Sequence, residues 1–150
     1  VGGPAGIPQV RDRRHGADKA VSQTPGATLT VFDTTATTVL EGRRIGEIIV
    51  GMAPSDRPDA LFAANDLVAL GLLQALVVSG QLTVPDDIAL VGYDDIDFAT
   101  SAIVPLTSIR QPSALMGETA LKLLSDEASD PQLKPQRIVF QPELVIRASA

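Results

Sequence analysis

Four polar clusters stand apart in an otherwise aliphatic chain. They are Arg13 within Arg11-Asp12-Arg13-Arg14, the run Asp33-Thr34-Thr35-Ala36-Thr37-Thr38, the pair Asn65-Asp66, and the turn Tyr93-Asp94-Asp95 with Asp97 beyond it. Together they supply a guanidinium, hydroxyls, an amide and carboxylates. A carboxylate accepts hydrogen bonds, an arginine donates them and an amide does both, so the set suits a ligand rich in hydroxyls. The apolar stripe Val10, Ala17, Ala20, Val21 passes through positions 13 and 14, so one arginine must lean toward a buried face. A buried arginine needs a partner. For Arg13 that partner is either a ligand or a carboxylate, Asp66 or Asp94. Asn65 and Asp66 are both good helix N-caps; the expectation is that one caps and the other meets a ligand.

Other chemistry finds less support. The spacing of Asp94, Asp95 and Asp97 matches no calcium loop, so no metal site is expected. His15 is the only histidine, lies mid-helix between Arg14 and Gly16, and has no nucleophile-elbow motif to serve. Gly2-Gly3-Pro4-Ala5-Gly6 is neither a dinucleotide fingerprint nor a Walker loop. No pair of carboxylates stands out as acid and base. The expectation is a binding domain without cofactor, not an enzyme.

The elements that must position these clusters alternate between apolar runs and helical stripes, the pattern of a parallel α/β sheet. Val1–Pro4 reads as the tail of a strand. Strands are predicted at Leu29–Phe32, Ala60–Ala63 and Ile88–Val91, an extended run at Leu106–Ile109, and short strands at Ile138–Phe140 and Leu144–Ile146. Helices are predicted from Ile7 to about Ser22, after a Thr38/Glu41 capping box, from Leu67 to Ser79 with Gly80 as the stop, and from Pro112 onward. Ser125–Pro135 reads as a loop. In such sheets ligands bind outside the carboxyl ends of the strands, and all four polar clusters fall at that edge.

The helix Leu67–Ser79 has Gln74 as its only clearly polar residue between its ends. A helix apolar all round needs cover on more than one side. Either the rest of the chain supplies it, or the face bearing Leu67, Leu70 and Gln74 meets a second subunit.

Composition sets outer bounds. The 150 residues carry 45% hydrophobic and only 3% aromatic residues, so the core must be aliphatic. A net charge of −6 makes the chain by itself a poor nucleic-acid binder. There is no cysteine, which fits a reducing cytoplasm. No apolar run reaches the ~18 residues of a membrane span, and no signal-peptide pattern opens the chain.

Several segments resemble the LacI/GalR regulators. Arg57-Pro58-Asp59-Ala60-Leu61-Phe62-Ala63-Ala64-Asn65-Asp66-Leu67-Val68-Ala69-Leu70-Gly71 is similar to their strand-to-helix segment, and Val84-Pro85-Asp86-Asp87-Ile88-Ala89-Leu90-Val91-Gly92-Tyr93-Asp94-Asp95 to the next strand and its acidic turn. Pro105-Leu106-Thr107-Ser108-Ile109-Arg110-Gln111-Pro112, Arg13-Arg14-His15-Gly16 and the ending Pro142-Glu143-Leu144-Val145-Ile146-Arg147-Ala148-Ser149 extend the resemblance along essentially the whole chain. It implies the C-terminal lobe of a type I periplasmic-binding-protein-like fold, Rossmann-like and doubly wound, truncated at its N-terminus. On that reading residues 1–109 and 136–150 form the lobe, and 110–135 form a crossover and a helix that packs in the other lobe. It further implies a small effector, such as a sugar, polyol or nucleoside, held by Arg13, Asn65, Asp94 and Gln111. A homodimer through the Leu67–Ser79 helix, operator DNA reached only through an absent N-terminal domain, and a cytoplasmic location complete the expectation. A transporter's sugar-binding protein, which shares the fold, is the alternative.

Overall fold

A computed structural model describes residues 1–130 and 132–150. Its sheet has four strands, β1 (Ala60–Phe62), β2 (Ala89–Asp94), β3 (Thr107–Arg110) and β4 (Glu143–Val145), in the order β1-β2-β3-β4. The first three are parallel, with Leu61 opposite Leu90 and Gly92 opposite Ser108; β4 closes the edge antiparallel to β3. The helices are α1 (Pro8–Ser22), α2 (Val39–Gly51), α3 (Asp66–Ser79), α4 (Asp97–Ser101) and α5 (Ser113–Ser129).

Alternation along the strands decides what each face carries. Leu61, Ile88, Leu90 and Leu106 are buried together with Ile45 and Ile49 of α2 and Val68, Leu72, Leu73 and Leu76 of α3. This is the aliphatic core the composition calls for. Phe62 and Tyr93, on the opposite face, meet edge to face at 6.5 Å and lie on the side of α1.

α2 and α3 meet almost backbone to backbone. A Cβ on Gly71 would lie 2.0 Å from the Val39 carbonyl oxygen, and one on Gly42 2.1 Å from that of Val68. Small residues at this crossing let α2 cover one flank of the apolar α3. Leu67, Gln74 and Val78 nevertheless remain exposed and Leu70 half-buried.

Local signals explain the helix ends. Asn65 Oδ1 accepts from Val68 N–H (2.9 Å) at the start of α3, and Gly80 ends it at φ 65°. Thr38 Oγ1 accepts from Glu41 N–H (3.4 Å), but the capping box is only half closed, because Glu41 Oε2 takes the Thr35 N–H instead (2.9 Å).

Some sequence expectations do not hold. Leu29–Phe32 forms no strand; among the described residues its one backbone bond to another segment is Gly2 N–H to the Phe32 carbonyl (3.0 Å). Ile138–Phe140 lies outside the sheet because β4 already occupies the β3 edge. α5 runs five residues into the predicted Ser125–Pro135 loop, of which Pro131 lies outside the described residues. The short α4 was not foreseen; five residues carry too little periodicity to announce it.

Gly71→Ala should destabilise the domain by about 1–3 kcal/mol, since α2 and α3 would have to part. Gly16→Ala, with nothing within 4 Å of the new Cβ, should be neutral or stabilising. Urea denaturation of both variants measures the contrast.

Candidate functional site

β2 leaves the sheet through two residues in unusual backbone conformations, Asp94 at φ 104° and Asp95 at φ 51°. Neither is glycine, and such positions cost of order 1–3 kcal/mol each unless their surroundings hold them. Here the surroundings do. Asp95 is gripped by two arginines: Arg110 Nε donates to its Oδ2 (2.7 Å), and Arg147 Nη1 forms an ion pair with Oδ1 (2.7 Å). Burial works against the charge on Asp95, but Arg147 and Arg110 outweigh it and hold the carboxyl below its ordinary range.

Behind the turn lies Asp66, fully buried at the first position of α3. Its Oδ1 accepts from Ser108 Oγ (2.6 Å) and its Oδ2 from Ile96 N–H (2.9 Å), while Ser108 Oγ accepts from Asp95 N–H (3.1 Å). A Cβ on Gly92 would lie 2.1 Å from Asp66 Oδ1, so only glycine leaves room for this carboxyl. Burial raises the pKa of Asp66, aided by the nearby Asp94 and Asp95 and opposed by the bonds from Ser108 and Ile96.

In front of the turn, α1 brings Arg13 across the sheet edge. Its guanidinium donates to the Ala64 carbonyl and, through Nη2, to Asp94 Oδ1 (3.1 Å), and its carbon lies 3.6 Å from the centre of the Tyr93 ring. Gln111 Nε2, just past β3, donates to the same Asp94 oxygen (2.9 Å). Asp94 Oδ2 receives no hydrogen bond among the described residues. One oxygen thus anchors the carboxylate and the other stands available. The Arg13 and Asp94 side chains retain 15% and 34% exposure, so the pair is reachable from solvent.

The chain matches the family model described as "Periplasmic binding protein-like domain" over residues 2–150. It is 45% identical over 94 residues to the ribose operon repressor of Escherichia coli (strain K12), a stretch that is 63% of this chain and 28% of the relative. Among solved structures it resembles a complex of the transcriptional regulator CelR with cellobiose, with TM-score 0.89 and 34% identity over 100% of this chain and 45% of that one. It also resembles a lac repressor dimer bound to operator and the anti-inducer ONPF, with TM-score 0.86 and 28% identity over 99% of this chain and 43% of that one. The chain belongs to the periplasmic-binding-protein-like domain family, in its LacI-type form. It spans under a third of the curated relative, and all three of these proteins are transcription regulators.

In this LacI-type domain the sequence-predicted residues converge in part. Arg13, Asp94 and Gln111 form one hydrogen-bonded group. The buried-facing arginine is Arg13, and its carboxylate is Asp94 and not Asp66; Arg14 is exposed and lies 3.8 Å from Asp33. Asn65 is the cap, and its Nδ2 reaches the Thr37 carbonyl (3.3 Å), tying the Thr-rich loop to the site. Asp66 is internal. The sequence places Tyr93 in the acidic turn without a role of its own, although it is the only tyrosine and alternation sets it on the face opposite the buried Gly92. Nothing in the sequence signals the Asp66–Ser108 bond, whose partners are 42 residues apart.

Asp66 makes a pH prediction possible. A carboxyl whose folded-state pKa is raised contributes stability present below its unfolded value, and that stability is lost as pH rises through the folded value. Asp66→Asn removes this term. The stability of the variant relative to the parent should therefore increase as pH climbs from 3.8, the ordinary value, through the raised one. Denaturation midpoints across that range test it; parallel curves would refute the buried-acid assignment.

Proposed function

We propose that this is the effector-sensing domain of a LacI-type transcription regulator. Its ligand is a hydroxyl-rich small molecule, a sugar or a related polyol or nucleoside. The carrying observation is the Arg13–Asp94–Gln111 group at the carboxyl edge of the sheet, with Asp94 Oδ2 unengaged beside a guanidinium. An acceptor and a donor side by side match a hydroxyl that must both give and receive a hydrogen bond. Arg13 and Asp94 are the principal contacts, Gln111 orients Asp94, and Asn65 contributes its Nδ2. The sugar-bound regulator among the structural neighbours supports the class of ligand.

The domain acts by binding and not by catalysis, and DNA is contacted by a separate part of the regulator, in keeping with the −6 charge here. It works in the cytoplasm as a homodimer. The exposed face of Leu67, Leu70, Gln74 and Val78 on α3, flanked by Leu40 and Ile48 of α2, supplies the subunit contact. The lac repressor dimer among the neighbours is consistent with that contact.

Calorimetry of the complete regulator against ribose, cellobiose and a nucleoside panel identifies the effector class. Asp94→Ala should weaken the responding ligand by about tenfold or more, as for a lost charge-assisted hydrogen bond of roughly 1.5–3 kcal/mol. Unchanged affinity would overturn the site. Leu70→Lys should shift the sedimenting species from dimer to monomer; a dimer that persists would place the subunit contact elsewhere.

A further inference from the structure

β2 and β3 stay paired up to Asp94 and Arg110, and their side chains carry the pairing past the end of the ladder. Gln111 Nε2 donates to Asp94 Oδ1 (2.9 Å), while Arg110 Nε donates to Asp95 Oδ2 (2.7 Å). Two consecutive residues at the end of β3 thus hold the two consecutive residues at the end of β2.

A third grip comes from beyond β4. The N–H of Arg147 donates to Thr107 Oγ1 (2.9 Å) and its Nη1 to the Leu106 carbonyl (2.7 Å), so the residue is fixed at both ends to the start of β3. Nη1 also faces Asp95 Oδ1 at 2.7 Å, a buried oxygen that receives no hydrogen bond among the described residues. What Arg147 offers that oxygen is charge.

The two arginines are not equivalent. The Arg110 side chain is 48% exposed, so water screens its pair, whereas that of Arg147 is 14% exposed and that of Asp95 only 4%. A carboxylate as buried as Asp95 needs a compensating charge, and no ligand can reach it. Arg147 supplies that charge from inside.

The backbone gives this ion pair a consequence. Asp95 at φ 51° occupies the left-handed region that aspartate visits, but Asp94 at φ 104° lies beyond it. Such a residue persists only where its surroundings over-determine it. The bonds from Arg13 and Gln111 to Asp94 are reachable from solvent, so the buried fastening of the turn is Asp95, one residue on. Freed from Arg147, Asp95 would turn its carboxylate toward water. The relaxing backbone would then rotate the Asp94 side chain away from Arg13 and Gln111.

We propose that Arg147 is a positioning residue for effector binding: it never touches the ligand, but by holding Asp95 it keeps Asp94 aimed at Arg13 and Gln111. This rests on Arg13 and Asp94 being the ligand contacts, and a ligand-free measurement separates the two readings.

Nuclear magnetic resonance of the chain without ligand reads the turn through the Asp94 Cα and Cβ shifts and the Gln111 side-chain amide. Arg147→Met and Asp95→Asn should each move these signals, and the double variant should move them no further, because both break one interaction. Arg147→Lys, which keeps the charge, should return them most of the way. Arg43→Met, which breaks the exposed pair with Glu47 on α2 (2.9 Å), should leave them in place. In the complete regulator, calorimetry with ribose and cellobiose should show affinity for the responding sugar reduced about tenfold by Arg147→Met and largely recovered by Arg147→Lys. Should Arg147→Met fail to fold, Asp95→Asn, nearly the same shape as the parent, carries the same expectation. Asp94 and Gln111 signals that keep their parental positions in Asp95→Asn, or shifts that add in the double variant, overturn the inference. So does sugar affinity that is lost in Asp94→Ala but kept in Asp95→Asn. Affinity kept in both overturns the assignment of Asp94 itself, and with it the role in binding given to Arg147.

Discussion

The buried carboxyl of Asp66 is the constraint on which the carboxyl edge of the sheet depends. It sits at the start of α3, over Gly92 of β2, and is bonded by Ser108 of β3 and the backbone of Ile96. Three elements far apart in sequence meet on one side chain. Because the group is fully buried, leaving either oxygen unpaired would carry a desolvation cost of about 1–3 kcal/mol or more. The turn after β2 must therefore stay where its N–H groups can reach. That requirement fixes Asp94 in front of the turn and Asp95 beside it, in conformations neither would adopt alone.

Arg13 completes the edge from the other face. Its charge is shared among the Ala64 carbonyl, Asp94 and the Tyr93 ring, three partners from two consecutive segments of the sheet. α1 is otherwise lightly held, with Val10 its one buried residue. The helix bearing Arg13, the proposed ligand contact, is thus attached mainly by polar contacts at its sheet-edge end. The position of Arg13 and the docking of α1 are physically linked.

Much of this was legible in the sequence. The apolar runs that became β1, β2 and β3, the caps at Thr38 and Asn65, the stop at Gly80 and the convergence of Arg13 and Asp94 all follow from local rules of period and polarity. Those rules failed where neighbours decide. Leu29–Phe32 has a strand's composition, but strands exist only as pairs, and most of its partner groups are unmet. Ile138–Phe140 lost its edge to β4. The functions of Asp66, Arg110 and Arg147 depend on contacts across tens of residues, for which no spacing in the chain provides a signature.

The tail shows a different kind of dependence. Ser149 inserts between the starts of β2 and β3: its Oγ donates to the Leu90 carbonyl (2.6 Å) and accepts from Thr107 N–H (2.8 Å), while its carbonyl accepts from Leu90 N–H (2.7 Å). Those contacts close loops of 59 and 42 residues. In synthesis the tail follows every element it fastens, and long-range closures are slow to form. β2 and β3 must therefore spend an interval on the ribosome with their starts unlatched, when a chaperone or a second nascent chain has access to a sheet that the finished domain keeps sealed.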